Sequence, residues 1–320
     1  MTLLARNEED ILDAHLAFHL NAGVDFVVAI DNGSTDGTTD ILEPYARDGC
    51  LDLTRDDRDL DQPAWVTQMA RRAATDFDAD WVINSDADEF WWPRGGSLKD
   101  VLSAVPARFG SVRGMWRHFV PRPPGEELFA ERMTVRVSNP GTAENSPYSP
   151  RFKTAHRADP RVTVLGGNHR AIGEDLLPLR GWYPIDVLHF PMRSLQQCKE
   201  KYLRWWQVAP SVFRIAAYDA DRDGRMREFY ESYVVDDDML EAGVADGTLA
   251  VDTRLRDSLR RLRAGDQLTF ADDTIDESYL SELSALANTD PRVLAQQKTE
   301  ALETRLAALE GRGLGRRRRG

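Results

Sequence analysis

The first ninety residues alternate short apolar runs with helix-forming stretches, and the runs end in polar or acidic residues. Thr2 to Arg6, Asp25 to Ile30, Leu51 to Thr54 and Trp81 to Ser85 read as strands. Glu8 to Ala22, Thr38 to Arg47 and a Pro63-initiated stretch to about Phe77 read as the helices between them. Parallel neighbours in a sheet need a long crossover, and a helix supplies it, so this order predicts βαβ units and an α/β fold with a mostly parallel sheet flanked by helices. Pro63 suits a first helical turn with Asp61 as its cap, whereas Pro44 fits less comfortably inside the second helix.

From Phe109 to about His189 the pattern changes to short β-rich pieces, Gly110 to Val120 and Met133 to Val137 among them, broken by Pro- and Gly-rich loops. Beyond Ser194 the chain reads as helical, with Lys199 to Gln207, Ser258 to Arg263 and a charged helix at 291–310. The expected divisions are therefore a βα half at 1–110, a β-rich half of the same domain at 111–193, a helical extension at 194–310 and a basic, disordered tail at 311–320.

A 320-residue chain with 42% hydrophobic residues can fill a sizeable core. Its longest apolar stretches, such as Val24 to Ile30, fall far short of the roughly 20 residues of a bilayer span. The start lacks a basic region followed by an apolar one, so secretion is not expected. Cys50 and Cys198 stand far apart without Cys or His companions, which argues against a disulfide framework or zinc site and fits a reducing cytoplasm. A net charge of -12 disfavours nucleic acid as a partner. Arg312 and Arg316 to Arg319 gather positive charge at the end, as a solvated tail or as weak peripheral contact with anionic lipid on the inner membrane face.

Ligands of open α/β sheets bind beyond the carboxyl ends of the strands. The loop from Asp31 through Asn32, Ser34 and Asp36 to Thr38 leaves the second strand there, and Asp31 offers acceptors for a base N–H or ribose hydroxyls. The fourth strand ends abruptly in Asp86-Ala87-Asp88-Glu89-Phe90. Two carboxylates one residue apart make a hard-oxygen set for Mg2+ or Mn2+, with positions left for water and a diphosphate; the plainer alternative is a solvated acidic turn.

Arg6-Asn7-Glu8 after the first strand, the Asp31 to Thr38 loop after the second and Asp86-Ala-Asp-Glu-Phe after the fourth together resemble family 2 glycosyltransferases, in a subgroup with an Asp-Ala-Asp-Glu-Phe metal motif. The resemblance extends to about residue 120 and implies a GT-A fold, a nucleoside-diphosphate-sugar donor and Mn2+ or Mg2+ bridging its diphosphate to the Asp-x-Asp carboxylates. It implies donor contacts by Arg6, Glu8, Asp31, Asn32, Ser34, Asp36 and Asp86, with Asp31 at the base, Asp86 near ribose and metal, and Asp88 as direct ligand. Asn32 departs from the commoner Asp-Asp-Gly-Ser pattern. Gly166 to Arg170 and Leu188 to Ser194 also look like segments of that subgroup, which makes His189 the C-terminal metal ligand and His169 a weaker candidate.

The implied reaction is metal-dependent transfer of a sugar, uridine-linked and with inversion, to a hydroxyl of a glycan, lipid or small molecule. The base is expected at Glu174 or Asp175, with Asp186 the competitor. Arg6 and Arg193 are candidates for phosphate oxygens, or for plain ion pairing. Phe90, Trp91 and Trp92 complete the core or, alternatively, form a sugar-stacking platform.

His15 and His19 have ligand spacing on one helix but lack the Glu of an H-E-x-x-H site, so a structural role is expected. Asp219, Asp221 and Asp223 begin like a calcium loop, yet Tyr230 stands where a bidentate Glu belongs. A phosphatase using an Asp nucleophile would carry it on the first strand, and a sugar-1-phosphate nucleotidyltransferase would open with a Gly-rich loop. The contrasting class is a noncatalytic carbohydrate-binding or scaffold protein that keeps the fold.

Overall fold

The structure, a computed structural model, describes residues 1–59, 61–125, 127–138, 148, 151–179, 183–208 and 222–270, with only the backbone of 202–208 and 222. In chain order the elements are β1 (Thr2–Ala5), α1 (Leu12–Asn21), β2 (Val27–Asp31), α2 (Thr38–Arg47), β3 (Leu51–Arg55), α3 (Gln62–Thr75), β4 (Trp81–Asp86) and β5 (Glu89–Pro93). There follow α4 (Leu98–Ser103), β6 (Ser111–His118), α5 (Phe129–Arg132), β7 (Val135–Val137), β8 (Phe152–Arg157), β9 (Thr163–Val164), β10 (Ala171–Ile172) and β11 (Ile185–His189). The described C-terminal part holds α6 (Leu195–Val208), α7 (Arg222–Glu231), α8 (Asp237–Ala245), β12 (Leu249–Val251) and α9 (Arg254–Arg263).

Eight strands form one sheet in the order β3-β2-β1-β4-β8-β6-β11-β5. β3, β2, β1 and β4 run parallel to one another, as do β6 and β11, while β8 and β5 run against their neighbours. The fold is thus the expected α/β class. Strand β2 shows why its segment is apolar throughout: Val27 and Ala29 pack in the cluster that holds α1, whereas Val28 and Ile30 pack with Trp65, Val66 and Met69 of α3 on the other face.

α3 begins as its sequence predicts, with the Asp61 carboxylate accepting from the Ala64 N–H at 3.3 Å and Pro63 in the first turn. α2 does accommodate Pro44. α1 starts at Leu12, later than the helical periodicity predicts, because Asn7 takes a left-handed φ of 53° and the acids that follow it bond elsewhere. Glu9 accepts from the Gly37 N–H at 2.7 Å, and Glu8 and Asp10 both hold Arg193.

β5 is the element that shapes the site. Only Ala87 and Asp88 separate it from β4, a span of at most about 11 Å for three peptide steps. Yet β5 pairs with β11, at the far end of the strand order. The sheet must therefore curl until its last strands meet the end of β4. Phe90, Trp91 and Trp92 are core rather than a sugar platform, with Phe90 and Trp91 fully enclosed.

His15 and His19 are structural as expected. The His19 Nε2 accepts the Trp91 N–H at 3.0 Å, which leaves Nδ1–H to donate to the His15 carbonyl at 2.8 Å and fixes a neutral tautomer. Some described elements after 194 pack on the sheet-bearing part. β12 pairs with β7, α9 lies against α1 and α5, and Met1–Asp273 is one compact unit. Among the described residues no helix is long and apolar enough to cross a membrane. The helix expected at 291–310, the basic tail and Asp219 and Asp221 lie outside the described residues.

Candidate active site

The carboxyl ends of β1, β2 and β4 lie side by side, since Leu4 and Ala5 pair with Ile30 and Asp31 and Leu4 also pairs with Asp86. Across the curl, β11 brings His189 into register with His118 of β6 and Glu89 of β5. Ligand atoms of Asp88, Glu89 and His189, all buried, lie within 4.8 Å of one another. Two carboxylates and an imidazole suit Mn2+ or Mg2+, so the residues present fit a divalent ion. Of the three sequence candidates for metal ligands, the cluster brings together Asp88 and His189. The third convergent group, however, is Glu89 rather than Asp86.

Asp86 Oδ2 instead accepts from the Lys153 ammonium at 2.6 Å, and its Oδ1 from Asn168 at 3.0 Å and Gln62 at 3.3 Å. Lys153, only 1% exposed, also reaches Glu89 Oε1 at 2.8 Å. Trp116 donates its indole N–H to the same oxygen at 2.9 Å and stacks on His189 with ring centres 4.2 Å apart. The Lys201 ammonium bonds Asp88 Oδ2, and His189 Nε2 stands 3.7 Å from that oxygen. The His118 and His189 rings meet Nδ1 to Nδ1 at 3.0 Å, which orients the His189 Nε2 toward Asp88.

These contacts set the protonation. Burial pushes the Asp88 carboxyl up, but Lys201 and His189 outweigh it and hold the group well below the usual carboxylate range. Burial pushes Glu89 up to about 8 against the pull of Lys153. His189 is lowered by burial, which keeps the imidazole neutral, the form that can ligate a metal. Burial also pushes Glu8 up to about 7, opposed chiefly by Arg193.

The loop after β2 is knit by its own acids. Asp31 accepts from the Ser34 N–H at 3.0 Å, the Ser34 hydroxyl at 2.6 Å and the Thr39 hydroxyl at 2.6 Å, with 2% of the residue exposed. Asp36 accepts from the N–H groups of Glu9 and Thr38. Asn32 is enclosed, and its amide donates to the carbonyls of Asp56 and Arg58. Arg6 remains exposed, one guanidinium nitrogen donating to the Asn32 carbonyl at 3.2 Å.

Five candidate residues lie apart from this cluster. Arg193 is 1% exposed and spends its guanidinium on Glu8 at 2.6 Å, on both Asp10 oxygens at 2.7 and 2.8 Å and on the Phe190 carbonyl, so it clamps the segment after β1 to the segment after β11 instead of facing phosphate. Asp186 is buried among Arg94, Arg117 and Arg254 at 2.7–3.1 Å, which overcome burial and hold it far below its usual range. Strand alternation also turns it to the face opposite His189. Glu174 pairs with Arg161 at 2.8 Å in the open, and Asp175 is exposed beside it. Both precede Leu177, whose carbonyl accepts from Gly110 at the start of β6, seven strand residues or roughly 23 Å from His118. None of the three belongs to the cluster of Asp88, Glu89 and His189. His169 donates its Nδ1–H to the Phe152 carbonyl, 2.7 Å away, and takes no part in the ligand cluster.

Glu89, Lys153, Lys201, His118 and Trp116 escaped the sequence reading. Glu89 is part of the Asp86-Ala-Asp-Glu-Phe motif. The lysines had a signal in their scarcity, since the 41 basic residues are nearly all arginine.

Residues 3–122 match the family model of glycosyl transferase family 2, a stretch that contains Asp31, Asp86, Asp88 and Glu89. No curated protein sequence matches the chain. In structure it is similar to residues 1–349 of S. aureus TarS, with 13% identity over 90% of this chain and 91% of that one and a TM-score of 0.31. It is also similar to the mannosyltransferase PcManGT from Pyrobaculum calidifontis in complex with GDP-Man and Mn2+, with 14% identity over 89% and 83% of the two chains and a TM-score of 0.32.

Proposed function

We propose that this protein is a divalent-metal-dependent glycosyltransferase that moves a sugar, with inversion, from a uridine-linked nucleoside diphosphate to an acceptor hydroxyl. The observation that carries the reading is the convergence of Asp88, Glu89 and His189 at the carboxyl end of the parallel strands, within or beside the segment that matches the family model. Asp88, Glu89 and His189 would hold Mn2+ or Mg2+, which when bound neutralises charge on the departing diphosphate. The chain's own residues do the rest. Asp31, Ser34 and Thr39 shape the loop that faces the nucleotide, and exposed Arg6 offers a guanidinium to its phosphates. Trp116 and His118 fix the His189 ring.

A thermal-shift panel of nucleoside-diphosphate sugars, each with Mn2+ and with EDTA, tests this reading. A ligand at a hundred times its Kd adds about 2.7 kcal/mol to the folded state, so the true donor with Mn2+ raises the midpoint visibly. Asp88→Asn abolishes the metal-linked part of that rise. A panel in which no donor shifts the wild-type midpoint, with or without Mn2+, refutes the proposal.

A further inference from the structure

The acidic centre is already supplied with cations by the chain itself. Lys153, on β8, lies between Asp86 and Glu89, and Lys201, on α6, lies on Asp88. The two differ in how they are held. Lys153 is 1% exposed and bridges two carboxylates, while the Lys201 side chain is 28% exposed and bonds one. The oxygen that Lys201 occupies, Asp88 Oδ2, is the one that faces His189 Nε2.

We infer that Lys201 is a tethered counter-ion which a divalent cation displaces from Asp88, while Lys153 stays in place. The inference rests on the proposed metal site and adds an exchange to it. An ammonium donates hydrogen bonds and cannot share its acceptor lone pair with a metal at close range, and two cations on one carboxylate oxygen repel. Without the ammonium Asp88 would be an uncompensated buried charge, which is costly, so the lysine keeps the centre folded and pre-shaped until a cation replaces it. Its displacement needs no unfolding of α6. Leu195 and Cys198 anchor the first turn of that helix to Met192, Met226 and Tyr230, and Lys199 pairs with Asp223, so only a flexible side chain has to move. Once released, the ammonium remains beside the centre as a positive group for an anionic ligand.

Amine footprinting reads this directly in the intact protein. Reductive dimethylation followed by mass spectrometry is run in EDTA and in saturating Mn2+ without nucleotide. Lys99, whose ammonium pairs with Asp25 at the exposed surface, is the internal standard. Labelling of Lys201 is expected to rise about tenfold with Mn2+ while Lys99 and Lys153 stay constant, because a charge-assisted bond of that order is exchanged for solvent. Lys201→Met is expected to bind Mn2+ about tenfold more tightly than wild type by calorimetric titration, whereas Lys199→Met, on the same helix, leaves the affinity unchanged. Mn2+ that binds wild type without raising Lys201 labelling overturns the inference and leaves the transferase reading intact. An affinity unchanged or weakened in Lys201→Met also overturns it. Mn2+ binding only in Lys201→Met supports the exchange in its strongest form, and binding in neither protein refutes the exchange and the metal-dependent transferase together.

Discussion

Asp88 is buried and ionised at once, a state that a lone carboxylate in a protein interior cannot hold. It does so because Lys201 and His189 meet it, and His189 in turn is aimed by His118. His118→Ala removes that aim while leaving both carboxylates, and should weaken Mn2+ binding about 10- to 100-fold by titration, the usual effect of losing an outer partner of a ligating histidine. Arg193→Met strands Glu8 and Asp10 and should cost about 3 kcal/mol in urea denaturation, a stability loss with no selective effect on metal binding. At this scale the sequence was legible where chemistry is local. Asp86-Ala-Asp at the end of an apolar strand announces an acidic site, and His15 with His19 lacks the glutamate that would make it one. Partners supplied by distant strands were not legible. Nothing around Lys153 or Arg193 in the chain says that one faces Asp86, 67 residues away, or that the other faces Glu8, 185 away.

The strand-turn-helix units through β4 follow from periodicity, because each buries its apolar pattern against its immediate neighbours. β5 did not follow. Glu89-Phe90-Trp91-Trp92-Pro93 is apolar after its first residue and reads as core, with a platform as the alternative, but not as a strand until its partner, β11, is known. Packing between these late strands leaves little tolerance. A Cβ on Gly114 of β6 would stand 2.6 Å from Val187 Cγ2 and 3.3 Å from the Trp91 ring. Gly114→Ala should therefore lose about 2 kcal/mol in chemical denaturation, as overpacked cores do. A loss within a few tenths of a kcal/mol would show that β11 and β5 are free to shift.

The whole molecule should be acid-sensitive. Burial lowers His15, His156 and His169 to about 4, below the 6.5 of an unfolded histidine. Between those values the unfolded chain binds more protons than the folded one, so the stability present above pH 6.5 is lost as pH falls toward 4. Each group contributes up to about 1.4 kcal/mol per pH unit across that window. His156→Leu, far from the ligand cluster on the start side of β6, should flatten the acid limb of a pH series of denaturation midpoints; an unchanged slope would mean that His156 is already protonated in the fold.

Closure of the core is late in the chain. Leu255 and Leu259 of α9 join the cluster that contains Phe18, Phe90 and Trp92, and Arg254 adds a third arginine to Asp186, while β12 completes β7 from 112 residues downstream. During synthesis, then, a nascent chain that has emerged only through β11 carries a bare aromatic flank, and its Asp186 lacks one of three arginine partners. Such an intermediate is a natural client for holdase chaperones, and a fragment ending at residue 193 should precipitate where 1–273 stays monomeric in gel filtration.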